Sequence, residues 1–124
     1  MIGIANLLDT NFVIGLMNEK PEATDIKADL GLSITNIAVS QISRIELLSY
    51  WAITASEELW LREFFNSCPV LAIDPAIEQA AIDLRQRTRL KLPDAIIGAT
   101  ALVHGLHLIT LDARLEAALK PVAP

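Results

Sequence analysis

The stretch LKLPDAIIGATALVHGLHLITLD, residues 90–112, decides the architecture of this chain. Pro93 suits the first turn of a helix, where an N–H has no intrahelical partner to lose. The small residues Gly98, Ala99 and Ala101 then allow close packing against a sheet, and Gly105 supplies a stop. Leu106 to Leu111 follow as a buried strand, and Asp112 stands at its end. A helix that runs straight into an apolar strand is half of a βαβ unit.

The same grammar repeats on either side. Residues 4–8 read as a short buried strand, and Asn11 to Asn18 place Phe12, Ile14, Leu16 and Met17 in a helical segment. Pro21 opens a second helix through about Leu30, with Gly31 as its stop. Ile34 to Val39 is β-branched enough for a second strand. Ser40 can cap a helix in which Ile42, Ile45 and Ser49 recur at helical spacing. Residues 56–66 form an amphipathic helix, Pro69 breaks it, and Val70 to Ile73 make a third strand. Asp74-Pro75 is an N-cap followed by proline at the first helical position, and that helix runs to about Leu90. The last helix is Ala113 to Leu119, after which Pro121–Pro124 could add only a stub of edge strand. Alternating strands and helices predict an α/β domain: a parallel sheet of four to five strands, right-handed crossovers, helices on both faces.

At 124 residues the chain is expected to be one domain, able to bury roughly two-thirds of its unfolded surface. Its hydrophobic fraction of 52% is high, yet no apolar run nears the roughly 20 residues of a membrane span. Cys68 is the single cysteine, so no internal disulfide is possible, and the N-terminus lacks the marks of a secretory leader; a cytosolic protein is expected. A net charge of −5 argues against a general nucleic-acid coat, since such affinity is mostly phosphate neutralisation by Lys and Arg. A nuclease with metal ions facing the phosphate is compatible with it.

Four acids fall where chemistry could gather. Asp9 ends Ala-Asn-Leu-Leu, Asp112 ends Leu-Ile-Thr-Leu, Asp94 opens the helix after Pro93, and Glu46 rides the margin of an apolar helical stripe. A parallel sheet collects its strand ends and the following helix starts along one edge. Each acid also has a plain structural reading: Asp9 and Asp112 as helix caps worth about 1 kcal/mol, Asp94 as a partner of the helix dipole, Glu46 on a solvated face. Four carboxylates about 5 Å apart would repel by about 3 kcal/mol per pair at an effective dielectric near 20, which a divalent cation relieves. Oxygen donors without a Cys/His cluster match Mg²⁺ or Mn²⁺. His104 and His107 flank a helix end, where they suit the dipole rather than a metal. Asp74 is explained by capping alone.

These motifs resemble those of PIN-domain ribonucleases of the VapC toxin type, over nearly the full chain. LLDTNFVIGLM is similar to the family's first strand, acid and polar neighbour, mapping to Asp9 and Asn11. VSQISRIELLSYW is similar to the second strand and the helix with the family glutamate, mapping to Glu46. The block 90–112 matches the Pro-Asp-Ala helix start, the Gly-Leu turn and the Leu-Ile-Thr strand, giving Asp94, Thr110 and Asp112. Two departures stand out. Many relatives carry Asn at the position of Asp112 and an Asp-Phe pair soon after, where this chain has Leu115-Glu116, so Glu116 is an alternative fourth acid. The tyrosine and glycine that often follow the glutamate appear as Ser49-Tyr50-Trp51, shifted by one.

The resemblance implies a three-layer PIN-like fold and a metal-dependent endoribonuclease. Asp9, Glu46, Asp94 and Asp112 would hold one or two Mg²⁺ or Mn²⁺ ions, with Asn11 and Thr110 orienting a carboxylate, water or phosphate. It also implies a homodimer, an RNA substrate and a small antitoxin. The basic residues Arg85, Arg87, Arg89 and Lys91 could contact the RNA backbone, or form a solvated helix end. Trp60, Phe64 and Phe65, with Trp51, could form core, an antitoxin groove or a dimer contact. Two rival readings remain: a PIN-like domain that only binds a partner, and an aspartyl-phosphate receiver or phosphatase. The second needs a lysine near a later strand end, and Lys120 comes too late.

Overall fold

Strands and helices alternate along residues 3–120, the part described by the structure, a computed structural model. In chain order they are β1 (Asn6–Leu8), α1 (Thr10–Met17), α2 (Pro21–Leu30), β2 (Ile37–Ser40), α3 (Gln41–Leu48), α4 (Ala55–Ser67), β3 (Val70–Leu71), α5 (Pro75–Arg87), α6 (Leu92–His104), β4 (His107–Ile109) and α7 (Ala113–Ala118). The sheet order is β3-β2-β1-β4, and every pairing is parallel. The edge-strand stub expected at Pro121–Pro124 lies outside the described residues.

The caps that organise the chain are local and side-chain made. Ser40 accepts from Ile42 N at 3.2 Å, Asp74 accepts from Ile77 N at 2.9 Å, and Thr54 with Glu57 forms a reciprocal capping box at the start of α4. Gly31 and Gly105 end α2 and α6 in the left-handed conformation, as their positions in the sequence predict.

Side-chain alternation along the strands sorts two cores. Leu8, Ile37, Val39 and Ile109 point to one face, where Phe12, Val13, Ala23, Leu61 and Phe65 from α1, α2 and α4 cover them. Leu7, Ala38 and Leu108 point to the other, under Ile97 and Ala101 of α6 and Leu115 of α7. α5 packs outside α6 through Ile77, Ala81 and Leu84 against Ala95 and Ala99. The result is the expected helix–sheet–helix layering.

The small residues of α6 divide their labour differently from the expectation. Ala101 meets the sheet, but Ala99 faces α5, and a Cβ on Gly98 would lie 2.9 Å from Leu119 and 3.3 Å from Leu84. Gly98 therefore admits neighbouring helices rather than the sheet.

The strands are shorter than predicted, for a visible reason in β2. Ser33 N donates to Asn36 Oδ1 at 3.0 Å and Asn36 Nδ2 to Gly31 O at 3.0 Å, so residues 33–36 form a turn and leave Ile34 exposed. α5 likewise stops at Arg87 instead of Leu90, because the Thr88 hydroxyl takes the Leu84 carbonyl at 2.6 Å while its backbone turns extended.

Candidate functional site

β1 and β4 are neighbours, so their C-terminal ends deliver Asp9 and Thr110 side by side. Asp9 is 3% exposed. One carboxylate oxygen accepts from Phe12 N at 2.7 Å, which caps α1, and the other accepts the Thr110 hydroxyl. Thr110 Oγ1 also accepts from Asp112 N at 2.9 Å, fixing the turn into α7. Asp112 in turn caps α7, accepting from Arg114 N at 2.9 Å. Asp9 and Asp112 are thus caps, as the plain reading of each had it.

Capping does not exhaust them. Burial raises the Asp9 pKa above its ordinary value, the bonds from Thr110 and Phe12 oppose that, and the negative charges of Asp94 and Asp112 raise it further. Burial also raises Asp94, followed by the charge of Asp112, against the opposing pull of Lys91 and Arg114. Asp94 sits in the first turn of α6, whose N-cap is Lys91, and its side chain makes no hydrogen bond among the described residues. Three acids distant in sequence therefore share one electrostatic neighbourhood. Asp74, the cap set aside earlier, lies outside it.

Glu46 stands to one side. Its Oε1 accepts from Thr10 Oγ1 at 2.8 Å, and Thr10 Oγ1 lies 2.9 Å from Ser43 Oγ, which is fully buried. Since Thr10 gives its one hydroxyl hydrogen to Glu46, Ser43 is the donor to Thr10. Glu46 and Thr10 line a cleft of about 460 Å³ with Tyr50 and Ile53, whereas Asp94 and Asp112 line another of about 670 Å³. Asn11 is the ridge, lining both. Glu116 is exposed and lines neither cleft.

The second cleft is also basic. Arg87, Arg89 and Lys91 line it, joined by Arg114, while Arg85 lines a neighbouring groove between α5 and α6 that Arg89 borders as well. Thr10, Ser43 and Arg114 were not singled out in the sequence. The contact of α1 with α3 that gives the first two their role has no local signature.

Among the described residues no three carboxylate, imidazole or thiol groups form a ready metal cage. The donor chemistry nevertheless suits a hard cation: carboxylates close enough that the charge of Asp112 raises the pKa of both Asp9 and Asp94, beside an amide and hydroxyls. Softer donors are elsewhere. Cys68 is buried, with its thiol pushed up to about 11 by desolvation, and His104 and His107 lie toward the opposite edge of the sheet.

A PIN-domain family model matches residues 7–120. This chain belongs to the PIN-domain family. The PIN domain aligns with a chain of a toxin–antitoxin complex from Klebsiella pneumoniae at 34% identity, covering 91% of each, with a TM-score of 0.77. Its fold also matches DNA-bound VapBC from Salmonella typhimurium (22% identity, 92% and 91% covered, TM-score 0.76) and FitAcB from Neisseria gonorrhoeae (19%, 92% of each, TM-score 0.71). No curated protein matches it significantly by sequence. No helix among the described residues of the PIN domain is long and apolar enough to cross a membrane.

Proposed function

We propose that this PIN domain is the toxin of a toxin–antitoxin pair, a ribonuclease that hydrolyses RNA phosphodiester bonds with Mg²⁺ or Mn²⁺. One observation carries the reading: buried Asp9, Asp112, whose charge acts on both other acids, and Asp94, without a side-chain hydrogen bond among the described residues, converge beside a cleft rich in Arg and Lys. Helix capping explains two of these acids but not their convergence, nor Asp94.

Asp9, Asp94 and Asp112 would hold the cation, with Glu46 reaching from across Asn11. When bound, Mg²⁺ or Mn²⁺ supplies Lewis-acid polarisation of the phosphodiester and makes a nearby water more acidic. The chain does the rest. Thr110 fixes the rotamer of Asp9, Thr10 fixes Glu46, and the Asn11 amide on the ridge can orient phosphate or water. Asp94, whose side chain makes no hydrogen bond among the described residues, has a carboxylate oxygen available to assist in taking a proton from the attacking water. Water adds across one P–O bond, leaving two RNA fragments.

Support for a protein partner comes from α4, though not from all the aromatics first considered. Phe65 is buried, and Trp60 stacks on Phe64 with ring centroids 5.3 Å apart, which is core packing. The same pair walls a cleft of about 550 Å³ with Leu16 and Ile34, suited to an apolar segment of a small antitoxin. The 34%-identical neighbour comes from a toxin–antitoxin complex, which supports that partner. A homodimer and a cytosolic location belong to the same reading.

The deciding experiment incubates purified protein with structured and unstructured RNA in Mg²⁺, Mn²⁺ or EDTA, with Asp94→Asn alongside. Metal-dependent cleavage lost in the variant is the expected result. Cleavage that ignores EDTA and survives the substitution overturns the proposal, and so does a wild type that neither cleaves nor binds Mn²⁺, which would leave a partner-binding domain.

A further inference from the structure

We propose that the basic stretch Arg87–Lys91, running from the last turn of α5 into the extended connection to α6, is a phosphate-tracking ladder for one strand of nucleic acid, with Arg114 on the facing wall, leading that strand to Asp94 and Asp112. It rests on the ribonuclease reading only in taking that strand to be RNA.

The ladder is built by inward anchors. Thr88 (φ −137, ψ 175) and Lys91 (φ −64, ψ 156) are extended. The Thr88 hydroxyl donates to Leu84 O at 2.6 Å and accepts from Leu90 N at 3.3 Å, while Leu90 packs into the cores beneath α6. Exposure alternates accordingly: Arg87, Arg89 and Lys91 are exposed, Thr88 and Leu90 half-buried. Arg87 stands in the last turn of α5, and in the extended connection beyond it alternate side chains such as Arg89 and Lys91 share a side at a repeat of about 6.6–6.8 Å. That repeat is close to the spacing of successive phosphates along an extended single strand.

The charges are available. Among the described residues none of Arg87, Arg89, Lys91 or Arg114 is in an ion pair, although Asp94 and Asp112 line the same cleft. A chain of net charge −5 with ten basic residues has placed four of them around one cleft of about 670 Å³. Two cationic walls, one from the α5–α6 connection and one from α7, can hold a single strand between them. A duplex carries its phosphates on the outside of a wide cylinder and meets one wall at a time. Arg85, although part of the same basic run, lines the adjoining groove with Ile73, Ile82 and Leu92, which Arg89 also borders, but not the acidic cleft, and is not a rung.

The test measures binding in EDTA, independently of metal and cleavage. The full chain is titrated into a short fluorescein-labelled oligouridylate across a salt series, read by anisotropy. Each of Arg87→Gln, Arg89→Gln, Lys91→Gln and Arg114→Gln is expected to flatten the log–log salt slope by about 0.7, the value for one phosphate contact on a single strand. Arg85→Gln should keep the wild-type slope, and circular dichroism should be unchanged throughout, since all five side chains are exposed. Slopes unmoved by the four substitutions, equal flattening by Arg85→Gln, tighter binding of a hairpin duplex, or tighter binding of an acidic peptide of equal charge would each overturn the ladder. Ladder-dependent binding without cleavage in Mg²⁺ or Mn²⁺ would remove the ribonuclease reading and leave the ladder standing. Cleavage with unmoved slopes would do the reverse.

Discussion

Thr110 donates its hydroxyl to Asp9 across 101 positions of sequence, and the same oxygen accepts from the backbone N–H of Asp112. One side chain therefore sets the orientation of one acid and the approach of another. Thr110→Val keeps the shape but removes both bonds. Groups that orient metal ligands typically contribute 10–100-fold in affinity, so Mn²⁺ binding by calorimetry should weaken by about that factor. Thr110→Ser should restore most of it. Equal Mn²⁺ affinity in wild type and Thr110→Val would show that Asp9 needs no such tether.

Asp94 predicts a pH dependence with a definite sign. Its folded pKa is raised above 3.8 by burial and by Asp112, so the fold favours the protonated acid. Stability from this group is present below about 3.8, its ordinary value, and is lost as pH rises through the raised value. In EDTA, Asp94→Asn should therefore melt above wild type at neutral pH, and the gap should close on acidification. Mn²⁺ should reverse the order by binding the ionised wild type. A gap that is constant with pH, or of opposite sign in EDTA, would contradict the assigned repulsion.

Asp74 and Asp9 make the same capping bond and should separate cleanly. Asp74→Ala removes a cap worth about 1 kcal/mol and should leave Mn²⁺ binding untouched, because Asp74 lies outside the acidic neighbourhood. Asp9→Ala should abolish binding. Denaturant melts and metal titrations on the two variants measure both halves, and comparable metal affinities would undo the distinction.

Element order was readable from local chemistry: Gly31, Gly105, Ser40 and Asp74 punctuate helices through contacts within a few residues. Strand lengths were not, since the turn at Ser33–Asn36 depends on an Asn36 side chain that reaches back to Gly31. Asp9, Asp94 and Asp112 were visible because a parallel sheet must gather its strand ends on one edge. Gly98 was visible as small but not as the site of approach for Leu84 of α5 and for Leu119, the residue that ends α7. Arg114 gave no signal, being one exposed residue in a six-residue helix, and it acquires meaning only opposite the ladder.

Glu46 carries the remaining prediction, because of the four candidate acids it is the one whose charge is not among those acting on Asp9 and Asp94. It is anchored instead by Thr10, which is itself held by the buried Ser43 hydroxyl across α1 and α3. If Glu46 serves the same cation, the hydroxyl chain matters for metal affinity and not only for the fold. Thr10→Val should then weaken Mn²⁺ binding about 10–100-fold, with Thr10→Ser close to wild type. Ser43→Ala should act in the same direction but less, because it removes the support and leaves the Thr10–Glu46 bond. A thermal melt alone cannot decide the matter, since both hydroxyls also contribute to packing. The deciding comparison is Glu46→Gln with Thr10→Val: non-additive losses of Mn²⁺ affinity in the double variant place both on one path, whereas additive losses would mean that Thr10 acts on the site through something other than Glu46.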